Sequence, residues 1–217
     1  MIWAIVPTRL GTNSKGRLAA VLPPQEREQL ARAMLTDVLR ALAGTPAIDR
    51  CLVVSPDPTA RPIAAAAGAE FLAEEGARGL NASVEQAVRH ASTRGASAVV
   101  VSMGDIPLLR SRDVVSALDV LPRRGAVLVP SADGTGTNLT VVRPPGLLRS
   151  RFGPDSLSLH LEQRSERLPI VIHPLPNAAL DIDTPADLEA FRKKAPGSGA
   201  SAALFETKPV VRTQAGA

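Results

Sequence analysis

Aromatic residues are scarce in this chain: they make up 2% of it, with no Tyr, one Trp and four Phe. That removes the stacked-ring platforms on which single-stranded nucleic acid is bound, and it leaves Ala, Val, Leu and Ile to build the core. Cysteine is nearly absent too. The single Cys51 excludes an internal disulfide and any thiolate metal cage. It lies in the apolar run Cys51-Leu-Val-Val54 and reads as a buried structural thiol. No apolar run reaches membrane-spanning length, and no charged segment leads into a long apolar one at the N-terminus. The expectation is a cytoplasmic protein with no membrane partner. Excess charge is small as well, 25 Lys and Arg against 21 Asp and Glu, and the arginines are scattered. Such a surface attracts small anions rather than a duplex, so no nucleic-acid partner is expected.

What is present is an alternation of short β-branched runs and amphipathic stretches over 217 residues, enough for one good-sized core. Met1-Ile-Trp-Ala-Ile-Val-Pro7 reads as a first buried strand closed by proline. Leu30, Met34, Leu35, Val38, Leu39 and Leu42 recur at helical spacing within 25–43, and Gly44 and Pro46 end that helix. Strands at 51–54, 70–72 and 126–130 and helices near 60–67, 82–92 and 111–120 continue the pattern. Asn81 is placed to cap the second of those helices and Ser111 to begin the third. This order predicts an α/β fold, a mostly parallel sheet sandwiched by helices. The run Leu139-Thr-Val-Val142 follows the strand at 126–130 with no helix between, so it must pair antiparallel or leave the sheet, a small antiparallel excursion. A helix near Pro154, a strand at 169–173 and a last helix to about Lys194 complete the predicted domain, 1–194. Thr184 as N-cap, Pro185 at the first position and Asp187 at the third form a strong start for that last helix. From 195 to 217 the composition turns to Gly, Ser, Ala, Thr and Pro without periodicity, which predicts a mostly disordered tail.

The most informative stretch is Val99-Val-Val-Ser-Met-Gly-Asp-Ile-Pro-Leu-Leu109, a buried parallel strand that delivers Asp105 at its C-terminal end. Ligands of open α/β sheets bind outside those ends. A solvated strand-end acid is the plainer reading of Asp105 alone. The loop Thr8–Arg17 has the small residues and cations of a phosphate cradle, although it lacks the Walker A order and also fits a flexible basic loop. Asp181 and Asp183 precede a helix, where its dipole favours acids. Together with Asp105 they would also make an oxygen-only site of the kind Mg²⁺ takes, with Lys15 and Arg17 opposite. Such apparatus suits phosphoryl or nucleotidyl transfer. Thr137 and Asn138 read either as turn residues or as part of that site.

Six short motifs in order carry a resemblance: Lys15-x-Arg-Leu18, Gly79-Leu-Asn81, Gly104-Asp-Ile-Pro107, Gly136-Thr-Asn138, Phe152-Gly-x-x-Ser-x-x-x-His160 and Asp181-Ile-Asp-Thr-Pro185. Over about 1–194 the chain resembles the 2-phospho-L-lactate guanylyltransferase family, which makes the GMP-activated precursor of coenzyme F420. The resemblance implies a glycosyltransferase-A-like nucleotidyltransferase fold and GMP transfer from GTP, with Mg²⁺, to 2-phospho-L-lactate, phosphoenolpyruvate or 3-phospho-D-glycerate. It implies Asp105, Asp181 and Asp183 as metal ligands and Lys15 and Arg17 as catalytic cations on the GTP phosphates. It further implies Gly79 and Asn81 beside the nucleotide, and Thr137, Gly153 and Ser156 on the acceptor phosphate. One position departs from the pattern: Gly16 stands where members usually carry Ser. Expected partners are GTP and a small phosphorylated three-carbon acid, with a homodimer as the assembly to test. Molybdopterin guanylyltransferases share the architecture and are the nearest alternative within the enzyme class; a nucleotide-binding regulator without turnover is the alternative outside it.

Overall fold

The computed structural model describes residues 1–11, 14–76, 79–195, 197 and 199–206. Strand β1 (Ile2–Pro7) is followed by helix α1 (Pro24–Ala43), β2 (Arg50–Ser55), α2 (Arg61–Ala66) and β3 (Glu70–Ala73). Then come α3 (Leu80–Thr93), β4 (Ala98–Ser102), α4 (Ser111–Asp119), β5 (Gly125–Pro130) and β6 (Thr137–Arg143). The chain continues through α5 (Ser156–Leu161), β7 (Ile170–Ile172), α6 (Pro185–Lys194) and α7 (Ala200–Glu206). The strands form one seven-stranded sheet in the order β3-β2-β1-β4-β6-β5-β7.

Among the described residues β6 alone runs against its neighbours, antiparallel to β4 and to β5, and every other pair is parallel. The predicted excursion is therefore inside the sheet. This arrangement fixes the site, because the C-terminal ends of β1, β2, β3 and β4 and the N-terminal start of β6 share one edge. Met103 N–H donates to Asn138 C=O at 2.9 Å, which ties the exit of β4 to the entry of β6.

Alternation along the strands explains why apolar runs suit both faces of the sheet. Ala4 and Val6 of β1 pack with Leu30, Met34, Leu35 and Leu39 of α1, while Trp3 and Ile5 face Val84, Ala87 and Ala91 of α3 on the other side. All four β1 residues are fully buried, and Cys51 is buried as its sequence context predicts. Burial raises the thiol's pKa to about 11, which keeps it protonated and unreactive. Thr184 and Asp187 make the expected reciprocal cap of α6, with Pro185 at its start. No described helix is long and apolar enough to cross a membrane.

The helix expected near Pro154 is present and begins at Ser156. Two expectations are corrected. Asn81 does not cap α3: the helix starts at Leu80 with Gly79 as its N-cap residue, at φ 85°, a conformation that favours glycine. The stretch expected to be a featureless tail from 195 contains α7, whose first-turn N–H groups of Ala200 and Ser201 donate to the two carboxylate oxygens of Asp37 at 2.7 and 2.8 Å. Asp37 lies on α1 and supplies from 163 residues away the acceptor that a local N-cap would normally provide. The remainder of the predicted tail, 207–217, lies outside the described residues.

The motif around Phe152 is held from within. His160 is fully buried; its Nε2 accepts the Arg151 N–H at 3.0 Å, and its Nδ1 meets Thr137 Oγ1 at 3.2 Å. An accepting Nε2 belongs to the neutral ring with its proton on Nδ1. Burial, above all, lowers the pKa of His160 to about 4, against the pull of the Ser156 carbonyl and with some help from Arg151.

Two outcomes are expected. A chain ending at Gly199 should melt roughly 10 °C below one ending at Glu206, from two lost hydrogen bonds to a charged acceptor of about 1.5–3 kcal/mol each. Equal melting temperatures would show that α7 adds nothing to stability. His160 takes up a proton more readily when unfolded than when folded, so its contribution is full above about pH 6.5 and is lost as pH falls toward about 4. His160→Gln should flatten the dependence of melting temperature on pH in that window. A wild-type dependence retained in the variant would exclude His160 as its source.

Candidate active site

The acids at the site arrive from two directions. The turn after β4 supplies Asp105, and the extended segment before α6 supplies Asp181 and Asp183. In Asp181-Ile182-Asp183 alternation sends the apolar residue one way and the two acids the other. Ile182 is fully buried in the core, and its N–H donates to Asp105 C=O at 3.1 Å. That one backbone bond sets both acids beside the Asp105 turn.

Lys15 closes the group. Its ammonium donates to Asp105 Oδ2 at 2.6 Å and to Asp183 Oδ1 at 2.7 Å, with the side chain only 10% exposed. Burial alone would lower the Lys15 pKa, but the neighbouring charges of Asp105 and Asp183 outweigh it and hold the pKa above its ordinary value. Lys15 itself adopts the left-handed conformation, φ 54°, which is uncommon for a residue with a side chain. Arg17 Nη1 lies 3.8 Å from Asp183 Oδ2 and is mostly exposed, so it is a loose second cation. Gly16 between them has open space around its Cβ position, and its backbone does not demand glycine. A Ser there, as in the family pattern, fits without displacement.

Asp181 is held differently. Its Oδ1 accepts from Asn138 Nδ2 at 3.1 Å, and the same amide donates to the carbonyls of Ala178 and Ala179. Burial raises the Asp181 pKa, and the charges of Asp105 and Asp183 raise it further against the help from Asn138. Asn138, read from the sequence as a turn residue or a site residue, proves to be the strut that orients this acid. Among the described residues no three His, Cys, Asp or Glu side chains stand close enough together to form a metal cage unaided. Two of them, Asp105 and Asp183, nevertheless converge on a single cation position.

The remaining expected site residues are brought to the same side of the fold without free side chains. The Asn81 amide grips the Phe152 backbone from both directions, accepting its N–H at 2.7 Å and donating to its C=O at 3.0 Å. Ser156 Oγ accepts the Thr137 N–H at 2.8 Å, and both residues are buried. Gly153 lies at φ 122° in the turn before α5. Thus Asn81, Thr137 and Ser156 shape the backbone around Phe152-Gly153. Spacing alone does not show this, because each partner is distant in sequence.

Asp105 and Lys15 line a cleft of about 220 Å³ that also reaches Arg9, Glu74, Leu80 and Met103. Neither Arg9 nor Glu74 stands out in the sequence. The signal for Glu74 is its position immediately after a short strand in the parallel part of the sheet, where ligands bind.

Against this geometry, the model of the family described as "Guanylyl transferase CofC like" matches residues 2–202. The phosphoenolpyruvate guanylyltransferase of Sphaerobacter thermophilus is 37% identical, covering 91% of this chain and 96% of its own. The 2-phospho-L-lactate guanylyltransferase of Methanothermobacter thermautotrophicus is 38% identical, with 85% and 81% covered. The 3-phospho-D-glycerate guanylyltransferase of Phenylobacterium zucineum is 35% identical, with 99% and 100% covered. Among solved structures, a nucleotidyl transferase from Methanothermobacter superimposes with TM-score 0.67 over 89% of this chain and 96% of its own; at 19% identity it speaks for the fold alone. The seven-stranded sheet is thus the glycosyltransferase-A-like nucleotidyltransferase fold, and the chain belongs to the CofC-like guanylyl transferase family of coenzyme F420 biosynthesis.

Proposed function

We propose that this enzyme transfers GMP from GTP to the phosphate of a three-carbon phosphoacid and releases pyrophosphate. The acceptor class follows the named substrates of the relatives: phosphoenolpyruvate, 2-phospho-L-lactate and 3-phospho-D-glycerate. The observation that carries the reading is the convergence of Asp105, from the turn after β4, and Asp183, from the segment before α6, on one cation position. Mg²⁺ typically takes one or two carboxylates and fills its other positions with water and substrate phosphate, so these residues fit it. Asp105 and Asp183 would hold the ion, with Asp181 beside them under the control of Asn138. When bound, the ion supplies charge neutralisation for the phosphate chain.

The reaction is in-line attack by an acceptor phosphate oxygen on the α-phosphorus, with the bond to the β-phosphate bridging oxygen breaking. The acceptor is already an anion at neutral pH, so no side chain need act as base. That agrees with the neutral, buried His160. Lys15 and Arg17 serve the donor phosphates, Lys15 exchanging its carboxylate partners for phosphate oxygens. Gly79 and Asn81 border the nucleotide, while Thr137, Gly153 and Ser156 form the acceptor side through the backbone they shape.

Incubation with GTP, Mg²⁺ and each of the three acids in turn should release pyrophosphate with at least one. No turnover with any of them would overturn the reading. Asp105→Asn should keep the fold and reduce kcat about a hundredfold or more, since charge stabilisation at phosphorus is the largest contribution. Ser156→Ala takes from a buried N–H its acceptor and should raise the KM of the phosphoacid roughly tenfold while leaving that of GTP nearly unchanged. If it weakens GTP alone, the acceptor belongs elsewhere.

A further inference from the structure

The cleft that holds Asp105 and Lys15 also contains an acid that the phosphate chemistry leaves unused. Glu74 follows β3 directly, and its side chain is 2% exposed, although its backbone leaves the residue as a whole only half-buried. An ionised carboxylate so placed needs donors. Its one hydrogen-bonded partner among the described residues is Arg9, reached through a single terminal nitrogen at 3.3 and 3.4 Å to the two oxygens. These are long contacts, without the parallel two-nitrogen geometry that makes arginine–carboxylate pairs strong. The Arg9 side chain is 59% exposed. The acid is therefore fixed and its partner is loose.

The backbone around Glu74 is held on both sides. Its N–H donates to Ser55 C=O at 3.0 Å and extends the β2–β3 ladder. One Gln86 amide on α3 accepts the Glu75 N–H and donates to the Ala73 C=O, each at 3.0 Å. The carboxylate is thus presented to the cleft from a clamped segment, and the apolar side chains of Met34, Leu80 and Met103 line the same space. A flat base among apolar walls with one fixed acid is the common plan of a selective pocket. The nearby Asp57 is committed elsewhere, since its Oδ1 accepts the Thr59 N–H at 2.9 Å and caps a short turn.

We propose that Glu74 reads the guanine base, its two oxygens accepting the ring N1–H and the 2-amino N–H, and so selects GTP among nucleotides. Those two donors lie parallel on one edge of guanine and match a carboxylate as a guanidinium fork does. Adenine presents an unprotonated N1 at that edge, which faces the carboxylate as lone pair against negative charge. Before nucleotide binds, the Arg9 nitrogen occupies the place that the base takes over. The inference rests on the guanylyltransferase reading and adds to it the residue that sets donor choice.

The test is equilibrium binding of nucleotides with Mg²⁺ and no acceptor, on the wild type and on Glu74→Gln. GTP is compared with ITP, which lacks the 2-amino group, with ATP, and with 3′-deoxy-GTP. In the wild type GTP should bind about tenfold or more tighter than ITP, as one hydrogen bond to a charged acceptor predicts, and tighter still than ATP. In Glu74→Gln, GTP should weaken by a similar factor and both preferences should collapse, with the 3′-deoxy effect and the melting temperature unchanged. A wild type that binds GTP and ITP equally overturns the assignment without any variant. So does a Gln variant that keeps the wild-type preferences, or one that loses its 3′-deoxy effect instead, which would place Glu74 on the ribose. In those cases GTP still binds and the enzyme reading stands. A wild type that binds no nucleotide would overturn both.

Discussion

The Lys15 ammonium between Asp105 and Asp183 is the contact on which the site depends. It joins Asp105, from the turn after β4, to Asp183, from the segment before α6, and offsets the repulsion of two like charges brought to one cation. The Ile182–Asp105 backbone bond ties the same two segments together. Asp181, its pKa pushed up first by burial and then by the charges of Asp105 and Asp183, stands beside this pair without sharing the ammonium.

The antiparallel course of β6 is the second constraint. Had the strand run with its neighbours, its entry would lie at the opposite edge of the sheet, away from Asp105. Running against them, it delivers Thr137 and Asn138 at the edge where β4 ends. Asn138 then orients Asp181, and the Thr137 N–H is bound by Ser156. One reversed strand therefore joins the acid cluster to the Phe152-Gly153 turn.

How far the chain can be read in advance follows from the range of the interactions involved. The strand runs, the helix α1 and the cap Thr184–Asp187 are written in neighbouring residues, and their positions are legible to within a residue or two. Asp105 too is legible, since strand ends in a mostly parallel sheet share one edge, whereas Asp181 and Asp183 reach it through a backbone bond between segments far apart in sequence. The roles of Asn81 and Ser156 are not, because their partners stand 71 and 19 residues away. Nor is α7, where the local composition argues for an irregular tail and Asp37 on a distant helix supplies the missing cap. Glu74 is the clearest case. Its place right after a short strand puts it at the ligand-binding edge, but only the fold reveals that its side chain is turned inward.

The scarcity of aromatic residues acquires a consequence here. A pocket with Trp or Tyr could hold a base by stacking, which tolerates any base because each has a π-face. The apolar lining of this cleft, which includes Pro7, Leu80 and Met103, contains no aromatic ring, and thioether and aliphatic surfaces hold a flat ring without distinguishing one from another. Discrimination must then come from a polar group at the base's edge. A buried acid accomplishes this more sharply than a neutral acceptor, since a wrong base leaves its charge unpaired as well as losing the hydrogen bonds. Before the nucleotide arrives that same unpaired charge would be costly, and Arg9 relieves it through contacts long enough to be given up. The looseness of that ion pair is therefore what allows a fixed, selective acid to persist in the cleft until a base replaces the arginine.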